Sequence, residues 1–296
     1  MFTVALTGEV GSGKSSIARV WGQMGANVIK ADAVAKEQWR RPEIMRAAKE
    51  RWGEGVFKGG EPDHRRIAEM AFKDNTENAF TNGLIHPGTI AEITRTVREA
   101  RGWIVLEVPL LFESGRFDYV DCIICVTAPD DLKAERNLAR GWTEGEIGRR
   151  ERFMTNTAKK QAMSDMVLLN AGSMESWEAR ARELGALMLK MSAVYELTTY
   201  CGNEGEARNI ASALVNERLA ASVNVNRADS CFRWRGRVHW EDEWALRCMT
   251  TESVMRRAIA RVTRLHSYEL PGITALEVCH SNFDTLKWVV ECCEPE

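Results

Sequence analysis

Residues 8–15 constrain this chain most, because Gly-Glu-Val-Gly-Ser-Gly-Lys-Ser fits the phosphate-loop pattern G-x-x-x-x-G-K-S/T. An apolar run over 2–7 precedes the loop and a helical pattern over 15–24 follows it, which predicts the strand–loop–helix context of such loops. The glycines allow backbone N–H groups to turn around phosphate oxygens, and the helix adds the positive end of its dipole. We therefore predict that nucleotide phosphates are bound by Gly8, Gly11, Ser12, Gly13, Lys14, Ser15 and Ser16.

Two side chains of this loop carry the expected chemistry. Lys14 can reach the β- and γ-phosphates and the Ser15 hydroxyl can ligate Mg²⁺, so we expect ATP and Mg²⁺ as cofactors. The alternative is a glycine turn with a surface lysine. The chain lacks the N-K-x-D motif with which GTPases read their base, so we predict a small-molecule kinase, in which the protein supplies positioning and electrostatic stabilisation.

The first 190 residues alternate short apolar runs with helical patterns. The runs are unalternated, as expected of strands covered on both faces, and strand–helix alternation favours parallel strands joined by right-handed crossovers. We predict an α/β P-loop NTPase fold, a parallel sheet with helices on both faces. The predicted strands are 2–7, 27–29, 103–108, 120–127 and 166–169, and the predicted helices are 15–24, 44–51, 89–100, 130–140, 144–160 and 176–191.

The pattern changes near residue 191, where we predict a boundary between a kinase domain, 1–191, and a second domain, 192–296. The predicted element order of the second domain is β-α-β-β-α-β, typical of an α+β ferredoxin-like fold with an antiparallel sheet. Its predicted strands are 193–199, 220–226, 231–234, 237–249 and 273–278, and its predicted helices are 204–218, 251–265 and 283–290.

The charge balance excludes several classes of protein. Lys and Arg number 40 against 42 Asp and Glu, so no overall basic field favours nucleic acid or an anionic membrane surface. No apolar run approaches the ~18 residues of a membrane span, and residues 1–6 lack the positive region of a signal peptide. We expect a cytoplasmic protein whose 8 cysteines are thiols, with a redox or metal pair as the alternative for Cys122 and Cys125.

Four segments in sequence order resemble the dephospho-coenzyme A kinase family over about residues 1–190: the loop at 6–15, then 28–32 (VIKAD), 85–87 (IHP) and 108–113 (VPLLFE). The resemblance implies transfer of the ATP γ-phosphate to the ribose 3′-hydroxyl of dephospho-CoA. It implies catalytic roles for Lys14, for Asp32 as the base, and for Arg140 (with Arg136) as a phosphate contact from a helical lid. The alternatives are a turn-capping Asp32 and an exposed helix arginine; for His86 we favour a structural role.

Four residues depart from the pattern of that family. Lys30 replaces the first aspartate of an Asp-Ala-Asp turn, Glu107 replaces an aspartate before Val-Pro, and Met154 replaces a lid glutamine. Glu9 stands where the family usually has glycine, and its carboxylate would repel a triphosphate unless the side chain turns to solvent. None of these changes removes Lys14, Ser15 or Asp32, so we expect activity.

Segments of the second domain are similar to the CutA divalent-cation tolerance family: 214–224, 232–236, 249–251, 266–271 and 283–288. The similarity implies a homotrimer and a functional link to a divalent cation such as copper. Exposed aromatics at Trp234, Trp240 and Trp244 would leave apolar surface on a monomer, which favours assembly; filling the domain's own core is the alternative. His266 and Cys231 are candidate ligands, although no two candidates have a metal-site spacing.

We therefore predict a dephospho-CoA kinase joined to a trimer-forming domain. The altered turn at Lys30 keeps another small-metabolite kinase as the alternative among enzymes. The alternative from another class is a binding protein that responds to nucleotide or metal and transfers no phosphate.

Overall fold

The computed structural model describes residues 2–115 and 117–293 and divides the chain into two compact units, Met1–Glu183 and Leu184–Glu296. One continuous helix, Met174–Met191, runs through this division. The same helix ends at Met191, the last residue of the predicted kinase domain. The predicted domain boundary itself stays a prediction. None of the described helices combines the length and the apolar character needed to cross a bilayer.

The first unit alternates strands and helices. Its strands are β1 (Phe2–Gly8), β2 (Asn27–Lys30), β3 (Phe57–Lys58), β4 (Glu61–Pro62), β5 (Trp103–Glu107), β6 (Cys122–Thr127) and β7 (Met166–Leu169). Its helices are α1 (Lys14–Gln23), α2 (Ala31–Gln38), α3 (Pro42–Trp52), α4 (His64–Ala71), α5 (Asn75–Glu99), α6 (Asp130–Ala139), α7 (Glu144–Glu151), α8 (Thr157–Ala162) and the shared α9 (Met174–Met191).

Five of these strands form one parallel sheet in the order β2-β5-β1-β6-β7. All residues of the central β1 and of β5 are buried, as expected of strands covered on both faces. The predicted α/β fold is confirmed. Because the strands are parallel, their carboxyl ends meet at one edge of the sheet, where open α/β folds bind ligands.

A group of helices between β2 and β5 builds a core of its own beside the sheet. The sequence predicted only 44–51 and 89–100 there, whereas the structure has α2 to α5. Because of Pro87, the sequence did not predict the first half of α5. The helix begins after an N-cap at Asp74 and continues past Pro87. The buried side chains of this group are those of Trp39, Ile44, Ala48, Val56, Ile67 and Ile85.

The segment predicted as one helix over 144–160 is broken into α7 and α8. The side chain of Asn156 accepts from the backbone N–H of Ala158 and so starts a new helix. The backbone N–H of Thr155, in the break, donates to Glu113. The long-range contact and the local cap together interrupt a helical pattern that the sequence alone had favoured.

The second unit contains β8 (Val194–Cys201), α10 (Glu204–Asn216), β9 (Ser222–Trp234), β10 (Arg237–Thr251), α11 (Glu252–Leu265), β11 (Ile273–Glu277) and α12 (Phe283–Cys293). Its antiparallel sheet has the order β11-β8-β10-β9, and the predicted ferredoxin-like fold is confirmed. The predicted strands 220–226 and 231–234 are one strand, β9. The polar residues between them lie in a largely exposed two-stranded ribbon with β10, where burial imposes no apolar alternation.

Candidate active site

The phosphate loop lies between β1 and α1, at the carboxyl edge of the sheet. Gly8 and Gly13 have φ angles of 131° and 105°, in the region that favours glycine. A Cβ on Gly8 would lie 2.0 Å from the carbonyl oxygen of Val126, and a Cβ on Gly13 would lie 2.3 Å from the Asn170 amide. These glycines are therefore required by the backbone path and by close neighbours.

One face of α6 fastens the loop from outside. Its side chains bind three consecutive loop residues: Lys133 Nζ lies 2.5 Å from the Glu9 carboxylate, Asn137 Nδ2 donates to the Val10 carbonyl (3.4 Å), and Arg136 donates to the Gly11 carbonyl (3.4 Å). Asn170, after β7, donates to the Ser12 carbonyl at 2.9 Å. Arg136 also donates to the Asn170 side chain at 3.2 Å. Its predicted contact with phosphate stays a prediction.

The Glu9 carboxylate, expected to repel phosphate unless it turned to solvent, turns into the protein. It accepts from Thr127 Oγ1 at 3.0 Å and pairs with Lys133, which also pairs with Asp130 at 2.8 Å. The Glu9 side chain thus binds residues that pack against the loop, and Lys133 compensates its negative charge.

Replacing Glu9 with glutamine removes the less exposed of the two negative partners of the buried Lys133 amine, and the exposed Asp130 remains. We expect a loss of about 1–3 kcal/mol in stability of the first unit, the cost of a weakened charged hydrogen bond, and little change in ATP affinity. Thermal unfolding and nucleotide titration measure the two effects, with the exposed Glu37→Gln on α2 as the matched control. A marked gain in ATP affinity in Glu9→Gln would instead indicate that the carboxylate repels the phosphates.

Lys14 is folded against its own loop. Its Nζ donates to the carbonyl oxygens of Gly8 (3.0 Å) and Glu9 (2.6 Å). Burial lowers the pKa of Lys14 to about 8, while the nearby carboxylates of Glu107 and Asp32 act in the opposite direction. Near neutral pH the amine is charged, and a phosphate group can replace the two carbonyl oxygens as its partner.

This pKa gives nucleotide binding a pH dependence. A triphosphate favours the charged amine, so affinity is complete below the free-protein pKa of about 8 and falls as the pH rises through it. Calorimetric titration of ATP from about pH 7.5 to 9.5, above the last pKa of the nucleotide, measures the decline and the accompanying proton uptake. Lys14→Met, which cannot titrate, is the control and has a flat profile. A wild-type affinity constant over this range contradicts the assignment.

A second polar pair, Ser15 and Glu107, lies at the start of α1 and the end of β5. Ser15 Oγ donates to Glu107 Oε1, and Glu107 Oε2 is buried without a hydrogen-bond partner among the described residues. Hydroxyl and carboxylate oxygens are the ligands that Mg²⁺ prefers. The orphaned carboxylate oxygen beside the predicted ligand Ser15 therefore fits a magnesium ion.

One cavity of about 270 Å³ collects most of the predicted site residues. Its wall includes Gly11, Gly13, Lys14, Ser15, Asp32 and Arg140. Three predicted residues do not line the described part of this cavity: Gly8 ends β1, Ser12 is fully buried, and Ser16 is half-buried in the first turn of α1. The departing residue Met154 lines the cavity as well, whereas Lys30 is exposed at the end of β2.

Asp32 reaches the cavity from the first turn of α2, directly after β2. Arg140 reaches it from the C-terminal end of α6, the helix that fastens the loop. Asp32, Lys14 and Arg140 thus come from three separate parts of the fold and line one cavity. This arrangement places a proton acceptor and two cations around a volume large enough for phosphate and a sugar hydroxyl.

Sequence reasoning missed Arg150, which also lines the cavity. Its guanidinium lies over the rings of Trp142 (4.4 Å) and Phe72 (5.1 Å), and burial lowers its pKa while Asp32 opposes the shift. The interleaved aromatic and basic residues over 142–153 were a signal that could have drawn attention to this segment.

The Val-Pro-Leu-Leu-Phe-Glu segment ends in a buried ion pair. Lys160 Nζ lies 3.2 Å from Glu113 and donates to the Pro109 carbonyl at 2.8 Å. His86 lies on α5 in a second, smaller cavity beside Asp32, where burial lowers its pKa. The sequence named neither Glu113 nor Lys160 as site residues, because their pairing is a tertiary contact.

In the second unit, the candidate ligand His266 is buried in a cluster with Cys201 and Glu206, and the exposed Cys231 is not part of it. The ring Nε2 donates to the Tyr200 carbonyl at 2.8 Å, and Nδ1 accepts from the Tyr268 N–H at 3.2 Å. Burial raises the pKa of Cys201 to about 12. The donor types suit a soft divalent cation, which would have to displace a hydrogen bond and the thiol proton.

Family models match both units. The CoaE dephospho-CoA kinase model matches residues 2–176, and the CutA1 divalent ion tolerance protein model matches residues 195–292. The two matches follow one another along the chain in the order that the sequence resemblances predicted.

Individual proteins are similar to one or the other part of the chain. A dephospho-CoA kinase of Deinococcus radiodurans is 35% identical over 182 residues, covering 60% of this chain and 87% of that protein. The crystal structure of TT1252 from Thermus thermophilus is 28% identical with a TM-score of 0.53, covering 62% of this chain and 96% of that one. CutA from Xylella fastidiosa is 32% identical over 34% of this chain and 99% of its own, with a TM-score of 0.34.

Proposed function

The chain belongs to the dephospho-CoA kinase family, and we propose that it transfers the γ-phosphate of ATP to the ribose 3′-hydroxyl of dephospho-CoA in the cytoplasm. The observation that carries the proposal is the single cavity in which the phosphate loop, Asp32 and Arg140 face one another. A donor phosphate held by the loop and an acceptor hydroxyl beside Asp32 would be neighbours in it.

The proposed reaction assigns one task to each side chain. Asp32 takes the proton of the 3′-hydroxyl as its oxygen attacks the γ-phosphorus. Lys14, released from the carbonyls of Gly8 and Glu9, neutralises charge that spreads over the transferred phosphoryl oxygens. Arg140, which lines the same cavity, does the same. Catalysis then rests on positioning and on preorganised charge.

Magnesium completes the proposed site. Ser15 Oγ and the orphaned Oε2 of Glu107 would hold it, the latter directly or through water. The ion supplies charge neutralisation to the β- and γ-phosphates when bound.

A coupled assay with ATP and dephospho-CoA tests the proposed activity. Formation of coenzyme A at the 3′ position supports it. Turnover only on another alcohol would identify a different small-metabolite kinase, for which Lys30 remains the motivating departure. Nucleotide binding without transfer to any acceptor would indicate a responsive binding protein instead.

For the second unit we propose trimer formation. Its sheet leaves the outer edges of β9 and β11 unpaired within the described chain, and Trp240 and Leu276 are 74% and 69% exposed. We expect a mass in solution three times the 33.4 kDa of one chain. Leu276→Asp on the edge strand should weaken the assembly, whereas Leu138→Asp, an exposed leucine of the first unit, should not. A concentration-independent monomer contradicts the proposal.

The family match also supports a divalent-cation role, which we assign to Cys201, Glu206 and His266. Co²⁺ titration is a suitable probe, because a thiolate ligand gives it a characteristic absorption and Co²⁺ does not readily oxidise thiols. Cys201→Ser should abolish the absorption and the exposed Cys279→Ser should preserve it. Absence of the band in the wild type would reject this cluster as the site. Loss of the Co²⁺ band on addition of copper would show that copper competes for the same site.

A further inference from the structure

A second, wider hollow of about 460 Å³ opens beside the active-site cavity, and we name it the basic groove. It lies between α2 and α4 on one side and α7 on the other. Phe72, Trp142 and Arg150 line both spaces, so the groove adjoins the active-site cavity. The remaining residues that line the groove are Lys36, His64, Arg65, Ala68, Glu69, Gly141, Thr143, Glu146 and Arg149.

The groove carries positive charge that the protein does not balance. Its two carboxylates are already engaged within the groove: Glu69 pairs with Arg65 at 3.4 Å, and Glu146 accepts from Thr143 at the start of α7. Lys36, Arg149 and Arg150, by contrast, have no ion pair within the described part of the chain. A local excess of cations on a chain of net charge −2 points to an anionic ligand.

The potential in the groove is reflected in His64. Burial lowers its pKa first, and the positive charges of Lys36 and Arg40 lower it further. The lowered pKa of His64 and the unpaired cations of the groove both indicate a surface with an excess of positive charge.

The groove also lies close to Asp32, the proposed base. Lys36 follows Asp32 by four residues on α2, so the two side chains project from the same face one turn apart, about 5–6 Å between their Cβ atoms. Arg150 lines both spaces, and its guanidinium lies over the rings of Phe72 and Trp142. A sugar whose hydroxyl lies at Asp32 therefore has the cationic side chains of Lys36 and Arg150 close by.

The other space beside Asp32 does not suit an anion. That cavity, of about 80 Å³, is lined largely by apolar side chains, among them Ile90, Ile93 and Phe117. Charged phosphates would lose their solvation there without gaining cationic partners. Of the two openings next to the base, the basic groove is the one fitted to negative charge.

We propose that the basic groove binds the diphosphate of the acceptor, with Lys36 and Arg149 as its positioning residues. The inference rests on the proposed function, because it takes dephospho-CoA as the acceptor. The ribose that presents its 3′-hydroxyl to Asp32 carries this diphosphate on its 5′ carbon, so binding the diphosphate orients the hydroxyl. Arginine pairs with phosphate oxygens through two parallel N–H donors, and lysine acts as a point charge.

Steady-state kinetics of Lys36→Ala and Arg149→Ala test the groove. Each variant should raise KM for dephospho-CoA by about 10-fold, the usual cost of one charged hydrogen bond. The kcat and the KM for ATP should stay within about twofold, because the reacting groups are intact. Arg46→Ala on α3 and Lys58→Ala on β3, both exposed cations outside the groove, are the matched controls. Thermal unfolding checks that all four variants are folded.

Ionic strength provides a readout that a structural role would not move. The acceptor KM of the wild type should rise with salt, and the double variant Lys36→Ala/Arg149→Ala should have a weaker salt dependence. An acceptor KM unchanged in both single variants overturns the inference. A raised KM for ATP with an unchanged acceptor KM overturns it too, and would assign the groove to the donor. Wild-type enzyme that does not phosphorylate dephospho-CoA would overturn the proposed function itself, which the same assay reports separately.

Discussion

Lys14→Ala is expected to lower kcat/KM for ATP by about 10³–10⁵-fold, the largest single effect at this site. Two losses combine in this figure. Without the ammonium group the β- and γ-phosphates lose a charged hydrogen bond, which weakens nucleotide binding. The charge that develops on the transferred phosphoryl oxygens also loses its nearest fixed cation, which lowers kcat.

The control for this substitution must separate chemistry from folding, because Lys14 is buried and bonded to two loop carbonyls. Lys14→Met keeps the aliphatic stem and should have the thermal stability of the wild type while remaining as inactive as Lys14→Ala. Arg19→Ala, an exposed cation on the same helix, is the matched surface control, with activity near the wild type. Nucleotide affinity equal to the wild type in Lys14→Ala would refute the whole phosphate site.

Asp32→Asn is expected to lower kcat by about 10²–10⁴-fold, the usual contribution of a general base. The amide has the shape of the carboxylate but cannot accept the hydroxyl proton. Affinity for ATP should hardly change, because the loop and Lys14 bind the donor. A pre-steady-state measurement of the chemical step, with ATP and dephospho-CoA both saturating, assigns the loss to transfer.

Asp131→Asn on α6 is the matched control, since it removes an equally exposed carboxylate that does not line the described part of the cavity. Its kcat should equal that of the wild type. If Asp32→Asn turns over at the wild-type rate, Asp32 is not the base and another group accepts the proton.

The phosphate loop was readable in the sequence because its chemistry is local. The strand, the turning glycines, the lysine and the first turn of α1 are consecutive, so their spacing alone specifies how N–H groups and charge converge. The order of the five parallel strands was harder, but unalternated apolar runs separated by helices permit few topologies. Both fold classes were therefore predicted correctly.

Errors arose where local patterns compete with long-range contacts. Pro87 suggested the start of a helix, yet packing and the Asp74 cap carry α5 through it. The helical pattern over 144–160 was continuous, but Glu113 and the Asn156 cap break it. Exposed β9 had no apolar alternation to reveal its full length.

The sequence by itself predicted that this protein binds a phosphate group and that the loop at residues 8–15 binds it, since those interactions span only eight neighbouring residues. Only the tertiary structure decided what faces that segment. The charged partner of Glu9 lies 124 residues away. Asp32 reaches the cavity from α2, Arg140 from the residue after α6, and Arg150 from α7. The reason is physical: contacts between distant elements depend on strand register and helix packing, which no local spacing encodes.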